Sequence, residues 1–241
     1  IRLGLVGSEM CIRDRCKHHM KKNVLIIGFG DIAKRISHIK DNEYELYPIS
    51  RGNHKSDIKN YIKWDWLSKE IPKLDITEYD SIIFIPKPSS FDEDGYKKGF
   101  INSSENVFRL TSELSYKKFI TISSTRVYGN NKCGIFMESD PLTEDDFRSK
   151  TLVKYENNQI KNYGKNLIIL RFAGLYQTVS ERKFANYLHR NNAANIIKFF
   201  IENEFNSVEH EIFNCAEDRN DEQGNISNSK LKSLGLSLTH I

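Results

Sequence analysis

Apolar residues along this chain fall into short runs that alternate with longer stretches of helical spacing, a pattern typical of the α/β class. The run Val24 to Ile27 is apolar at every position, which predicts a strand buried on both faces of a parallel sheet. The pattern predicts strands at 24–27, 44–50, 61–65, 80–85, 118–122, 167–170 and 212–213. It predicts helices from about Asp31, at 96–114, 144–163 and 192–203, and a short helix within 231–238.

The first predicted strand runs into a Gly-x-Gly-x-x-Ala turn that opens the first helix. Gly28 permits the tight turn, Gly30 leaves room for a pyrophosphate, and Ala33 lets the helix lie close to the strand. The helix directs free N–H groups and the positive end of its dipole toward this position. The turn predicts dinucleotide binding, and the alternative is a tight strand-to-helix turn with no ligand. The predicted cofactor-binding residues here are Gly28, Phe29, Gly30, Asp31, Ile32 and Ala33.

The end of the second strand bears on the choice of cofactor. NAD-binding folds usually carry an acid there for the ribose hydroxyls, and this chain has Ser50 and Arg51 instead. A guanidinium can pair with a 2′-phosphate, which favours NADP over NAD, although Arg51 could also be a solvated turn residue. Asp65 after the third strand has two interpretations, an acid near the adenine or the N-cap of a short helix from Trp66.

Two further loops follow predicted strands at the carboxyl edge of the sheet, where ligands of open α/β sheets bind. Pro86 and Lys87 follow the strand at 80–85 and are predicted to border the cofactor. Three hydroxyl residues, Ser123, Ser124 and Thr125, end the strand at 118–122, and Ser123 is predicted to be a cofactor-binding residue. Such hydroxyls can hydrogen-bond a reacting carbonyl or alcohol, and the alternative is that they cap their own backbone.

Length and charge limit the protein classes. The 241 residues suit one large α/β domain, with or without a small lobe. The segment 1–19 carries half of the net charge of +4 and is interpreted as a non-native leader before Met20. The near-neutral remainder has no basic stripe for nucleic acid, no run reaches the ~18 apolar residues of a membrane span, and no metal site is predicted. Cys133 and Cys215, without a secretion signal, favour a reducing cytoplasm.

Three motifs in order carry a family resemblance. They are Gly28-x-Gly30-x-x-Ala33, Ser123-Ser124-Thr125-x-Val127-Tyr128-Gly129, and Leu170-Arg171-Phe172-Ala173-Gly174-Leu175-Tyr176. Over residues 20–218 the chain resembles the short-chain dehydrogenase/reductase superfamily, in its NAD-dependent epimerase/dehydratase group and the atypical YeeZ-like branch. Segments 187–193 and 213–216 resemble further parts of that pattern.

The resemblance implies a Rossmann-like, doubly wound parallel sheet with helices on both faces and a small C-terminal lobe. It implies NAD(P) along the carboxyl edge, with Phe172, Ala173 and Gly174 against the nicotinamide. The domains it implies are an NAD(P)-binding domain at 20–175 and a substrate lobe at 176–241, which is either reduced or truncated. It also implies a homodimer through the helices at 96–114 and 144–163.

The same resemblance assigns catalytic positions, with one departure. Ser124 takes the place of the family's catalytic Ser/Thr, with Thr125 adjacent, and Lys150 fits the lysine of the Tyr-x-x-x-Lys motif. Asp146 stands four residues before Lys150, and Phe147 three before, so the tyrosine that donates a proton is missing. Tyr128 could replace that acid, or it could pack its loop against the sheet.

These features predict a cytoplasmic NAD(P)-dependent oxidoreductase or epimerase-like enzyme that acts on a small molecule. The missing tyrosine leaves open an alternative, a non-catalytic NADP-binding sensor or scaffold. A third alternative is a truncated fragment with no complete substrate site. The sequence does not name the substrate.

Overall fold

Seven parallel strands form the main sheet of the computed structural model. The structure describes residues 21–38, 43–52, 58–68, 70–129, 134–182, 186–205, 207–218, 225–236 and 238, so the predicted leader lies outside the described residues. The strands are β1 (Lys22–Ile27), β2 (Tyr44–Ser50), β3 (Ile62–Lys63), β4 (Glu78–Phe84), β5 (Ser115–Ser124), β6 (Leu167–Phe172) and β9 (Glu211–Cys215). Their order across the sheet is β3-β2-β1-β4-β5-β6-β9. Two three-residue strands, β7 (Gly174–Tyr176) and β8 (Tyr187–His189), pair in a separate small parallel sheet.

Helices cover both faces of the sheet, as a doubly wound Rossmann-like fold requires. The helices are α1 (Asp31–His38), α2 (Glu93–Tyr96), α3 (Ser103–Thr111), α4 (Phe147–Tyr163), α5 (Arg190–Glu202) and α6 (Ser229–Lys232). Apolar side chains of α1 and α5 share one core with β1, β5 and β6, and those of α3 and α4 share a second core on the opposite face. The strand order reverses between β1 and β4, which is where doubly wound sheets open a ligand crevice.

Several predicted elements need correction. The helix predicted at 96–114 begins at Glu93, ends at Thr111, and passes through a π-helical turn at Lys97–Asn102. The π-helical turn packs closely against the backbone at Lys87. Glycine at position 99 makes this possible, because a Cβ there would lie 2.2 Å from the carbonyl oxygen of Lys87. The strand predicted at 61–65 has only two residues, and the described residues directly after Asp65 form a turn instead of a helix. The short helix predicted within 231–238 lies earlier, at Ser229–Lys232.

The start of α4 is a further correction, because the helix predicted from residue 144 begins at Phe147. The Asp146 carboxylate accepts hydrogen bonds from the backbone N–H groups of Arg148 and Ser149, both at 2.9 Å. The Ser149 hydroxyl oxygen accepts in return from the Asp146 N–H, which completes a capping box. This local chemistry fixes the first turn of the helix.

The region after residue 175 contributes to two parts of the molecule. It supplies β9 and α5 to the main sheet and its helical layer, and it supplies β8 to the small sheet. A bridge between Phe136 and Ile226 ties the chain near its end to the segment after β5. No helix among the described residues is long and apolar enough to cross a membrane.

Candidate functional site

A cleft of about 570 Å³ opens at the carboxyl edge of the sheet, beside the point where the strand order reverses. The turn between β1 and α1 forms one side, and the residues that follow β2, β4 and β6 form the others. Both the position and the size suit a small-molecule or cofactor site. The lining residues are Gly28, Phe29, Gly30, Asp31, Ile32, Ala33, Ser50, Arg51, Gly52, Trp66, Ile85, Pro86, Lys87, Ile122, Phe172, Leu175 and Arg190.

Glycine is present at positions 28 and 30 of the turn for different physical reasons. Gly28 has φ +103°, and a Cβ there would lie 2.5 Å from the carbonyl oxygen of Ile85, so the fold itself requires glycine. A Cβ at Gly30 would meet nothing nearer than the carbonyl oxygen of Gly28 at 4.0 Å. Packing therefore does not require glycine at position 30. The open space above Gly30 fits a group that approaches the backbone, such as a pyrophosphate.

At the end of β2 the cleft carries a stacked cation. The guanidinium of Arg51 lies over the Trp66 ring, 5.3 Å from its centroid, and Arg51 is exposed while Trp66 is buried. The Ser50 hydroxyl is bonded to the phenol of Tyr61 at 3.0 Å. The Arg51 side chain is therefore oriented by an aromatic surface while its charge remains available to an anion.

The first turn of α1 carries an ion-pair cluster. The Asp31 carboxylate contacts Arg35 at 3.2 Å and Arg190 at 3.5 Å. Arg35 also donates to Gln177 Oε1 at 2.7 Å and to the Asn191 side chain. Gln177 thus joins the segment after β7 to α1.

Four of the predicted cofactor-binding residues lie off the cleft lining. Asp65 is exposed, and its carboxylate accepts from the Leu67 N–H at 3.1 Å, so it caps a turn. The N–H of Ala173 donates to the carbonyl oxygen of Cys215, and the N–H of Gly174 donates to the carbonyl oxygen of Asn186. Both N–H groups are therefore already hydrogen-bonded to the protein backbone. Ser123 is buried, and its hydroxyl oxygen has no hydrogen-bond partner among the described residues. The remaining eleven predicted cofactor-binding residues all line the cleft.

The hydroxyl residues at the end of β5 serve the local backbone. The Ser124 oxygen accepts from the Arg126 N–H at 3.2 Å and caps a 3₁₀ turn at Thr125–Tyr128. Thr125 is buried at the start of that turn. Neither residue lines the cleft, and the Ser124 contact is the backbone-capping alternative stated above.

Tyr128 belongs to a buried polar network, not to the cleft. Its side chain is 1% exposed, and its phenol oxygen lies 2.7 Å from Arg171 Nη1, 2.9 Å from the carbonyl oxygen of Met137 and 3.0 Å from Asn214 Oδ1. Burial raises the pKa of Tyr128, although the Arg171 charge opposes this change. The phenol is already engaged within the fold, and the packing role is the one that this geometry supports.

The same network holds a buried ion pair between β6 and α4. Arg171 Nη2 lies 2.7 Å from Glu156 Oε2, and Nε lies 3.0 Å from Oε1. The two side chains are 2% and 1% exposed. A two-point geometry of this kind is required for a buried pair, since each charge has lost its hydration.

Lys150, the residue predicted for the lysine position, lies on the exposed side of α4. Lys150 is exposed, as are Lys154 and Lys161 on the same helix. The inward face carries Ser149, Leu152, Val153, Tyr155, Glu156, Gln159 and Tyr163. Lys150 is therefore on the exposed side of α4, and it does not line the cleft.

Six lining residues are not among the predicted site residues: Gly52, Trp66, Ile85, Ile122, Leu175 and Arg190. The sequence marks Trp66 as a possible helix start and Leu175 as part of a motif. Arg190 follows β8, a strand too short to detect from periodicity. The signal that could have found Arg190 is its place inside the segment 187–193, where a strand end leads into a helix.

Solved structures with a similar fold include two UDP-sugar epimerases and a uronate dehydrogenase. A UDP-N-acetylglucosamine 4-epimerase from Bacillus cereus matches with a TM-score of 0.65 at 17% identity, over 91% of this chain and 94% of that chain. A UDP-glucuronic acid 4-epimerase from Bacillus cereus, in complex with NAD, matches with 0.63 at 15%, over 82% and 78%. A mutated uronate dehydrogenase matches with 0.70 at 15%, over 92% and 82%. At these identities the likeness establishes the Rossmann-like fold. A scan against protein-family models and a search of curated proteins each give no match.

Proposed function

We propose that this protein is a nicotinamide-dinucleotide-dependent oxidoreductase or epimerase-like enzyme of the short-chain dehydrogenase type, in its YeeZ-like branch, acting on a small molecule. The observation that carries the proposal is the open space above Gly30, in a cleft that begins at the N-terminus of α1. A glycine without a packing reason, at the place where a pyrophosphate would approach, is explained by a bound dinucleotide. The bound cofactor would supply a hydride acceptor or donor.

The preference for NADP over NAD is part of the proposal. It is supported by Arg51, an exposed guanidinium stacked on Trp66 at the end of β2. This residue can pair with a 2′-phosphate, whereas an acid at the same place would repel one. We also propose a cytoplasmic protein that forms a homodimer and binds neither nucleic acid nor membrane.

The test of the proposal is titration of the full chain with NADPH and with NADH, followed by cofactor fluorescence. We expect both to bind and NADPH to bind more tightly. Arg51→Gln should weaken NADPH binding by about tenfold and leave NADH unchanged, because only NADPH carries the 2′-phosphate. The matched control is Lys63→Gln, an exposed lysine on β3 that does not line the cleft. Binding of neither cofactor would refute the proposal.

A second function, a non-catalytic NADP-binding sensor or scaffold, is favoured by one observation. Ser124 caps its own turn, Tyr128 is buried, and Lys150 is exposed, so the residues predicted for proton transfer do not meet at the cleft. The two functions are separated by adding small aldehydes and ketones to the NADPH-bound protein. Loss of NADPH absorbance identifies an enzyme, and stable binding without oxidation across the set favours the sensor.

A further inference from the structure

We infer that Arg190 is a phosphate-binding residue of the cleft, contributed by α5, which recognises the diphosphate shared by NADPH and NADH. The inference rests on the proposed function and adds to it a residue and a division of labour. Arg51 would distinguish the two cofactors, whereas Arg190 would serve both. Four lines of observation support it.

The first is the position of Arg190. It is the first residue of α5, and it lines the same cleft as the turn from Gly28 to Ala33. Its guanidinium reaches the Asp31 carboxylate in the first turn of α1 at 3.5 Å. The side chain therefore lies at the N-terminus of α1, where a phosphate would be held by backbone N–H groups.

The second is the approach of two helix starts. Asn191 in the first turn of α5 contacts Arg35 of α1, and Arg190 contacts Asp31 of α1. Helix α5 is capped by the His189 ring nitrogen, which accepts from the Asn191 N–H at 3.2 Å. Both helices thus direct their positive ends toward one region, which favours an anion there.

The third is that Arg190 has fewer polar partners than the neighbouring Arg35. Arg35 is bonded to Asp31, Gln177 and Asn191, and it does not line the cleft. Among the described residues, the guanidinium of Arg190 has a single polar partner, the Asp31 carboxylate, and the side chain is 37% exposed. Arg190 can exchange this carboxylate for a phosphate while Arg35 continues to neutralise Asp31.

The fourth is the charge of the lining. Three basic side chains, Arg51, Lys87 and Arg190, and one carboxylate, Asp31, line the cleft. This excess of positive charge matches a diphosphate ligand. Arg51 is held on Trp66 at the end of β2, so Arg190 is the arginine beside the glycine turn.

The experiment measures dissociation constants of NADPH and NADH for wild type, Arg190→Gln and Lys34→Gln. Lys34 is the matched control, since it carries the same charge on α1 but is exposed and does not line the cleft. We expect Arg190→Gln to weaken both cofactors by the same factor of about ten, and Lys34→Gln to change neither by more than about twofold. Arg190→Lys should recover part of the loss, because it restores the charge without the planar fork. Thermal unfolding of each variant checks the fold, and Arg190→Lys keeps the test valid if Arg190→Gln is unstable.

Three results would overturn the inference. If Arg190→Gln and Lys34→Gln bind NADPH and NADH with equal affinity, Arg190 has no role of its own in binding the diphosphate, while the proposed function still stands. Weakening of NADPH alone would assign Arg190 to the 2′-phosphate instead of the diphosphate. Failure of the wild-type protein to bind either cofactor would remove the proposed function and, with it, the role of Arg190.

Discussion

Two regions at the carboxyl edge of the sheet use their polar groups in different ways. At the turn between β1 and α1, charged side chains border open space, and the Arg190 guanidinium has one polar partner among the described residues. Beside β5 and β6, Arg171, Glu156 and Tyr128 are buried and bonded to one another or to the backbone. The first region is arranged to receive a ligand, and the second is arranged to hold α4 against the sheet.

This difference explains why the glycine motif and the hydroxyl motif of the family resemblance are not equally informative about the ligand site. The Gly-x-Gly-x-x-Ala turn specifies a space, and the space is present above Gly30. The Ser-Ser-Thr-x-Val-Tyr-Gly segment supplies hydroxyls, but Ser124 and Tyr128 bond to protein groups instead of facing the cleft. In this chain a motif match therefore predicts the backbone conformation of a segment better than it predicts the function of the segment's side chains.

The largest expected effect lies in the buried network. Glu156→Gln leaves the Arg171 guanidinium buried without a counter-charge, so we expect the free energy of unfolding to fall by about 3 kcal/mol. Urea unfolding measures this loss. The exposed Glu105→Gln on α3 is the control and should change the free energy by less than about 0.5 kcal/mol.

The same variant sharpens the comparison between the two regions. Because Glu156 does not line the cleft, folded Glu156→Gln should bind NADPH with the affinity of the wild-type protein. A large fall in affinity without loss of stability would contradict the separation, since it would assign the network to the ligand site.

A smaller effect is expected at the start of α4. Burial alone would raise the pKa of Asp146, but hydrogen bonds from Ser149 and Arg148 and the ion pair with Arg126 together lower it. A lowered folded pKa stabilises the protein above the unfolded value of about 3.9, and this stabilisation is lost as the pH falls through the folded value. We expect Asp146→Asn to lower the free energy of unfolding by about 1 kcal/mol at neutral pH. The loss should almost vanish at a pH where the wild-type Asp146 carboxyl is protonated in both the folded and the unfolded state.

Unfolding curves at a series of pH values measure this difference. The exposed Asp75→Asn is the control, and it should track the wild-type protein at each pH. A cost for Asp146→Asn that persists unchanged in acid would show that its contribution is not that of the carboxylate charge.

Much of the fold follows from the sequence because buried parallel strands leave a simple signal. The apolar cores of β1, β4, β5 and β6 are found at or within two or three residues of their predicted bounds. The glycine turn is equally local, since Gly28 and Gly30 act through the backbone. Eleven of the fifteen predicted cofactor-binding residues line the cleft for the same reason, as they lie at strand ends or in the turns and the helix start that follow them.

Other features depend on contacts that the sequence pattern does not carry. The π-helical turn at Lys97–Asn102 keeps the apolar spacing of an ordinary helix, and its tight approach to Lys87 is visible only in three dimensions. The Asp146 capping box sets the start of α4 three residues later than predicted, and the exposure of Lys150 depends on which face of α4 packs on the core. Arg190 meets Asp31 across 159 positions of sequence, so its place at the cleft is a tertiary fact.

The most direct measurement pairs Gly30→Ala with Gly28→Ala and follows both stability and NADPH affinity. A Cβ at Gly28 would lie 2.5 Å from the Ile85 carbonyl oxygen, so we expect that variant to be less stable. Gly30→Ala should unfold at or slightly above the wild-type denaturant midpoint, because its Cβ meets open space, and should lose at least tenfold in NADPH affinity. Stable Gly30→Ala protein that binds NADPH as tightly as the wild-type protein would contradict the account, because the space above Gly30 would then not be where the dinucleotide lies.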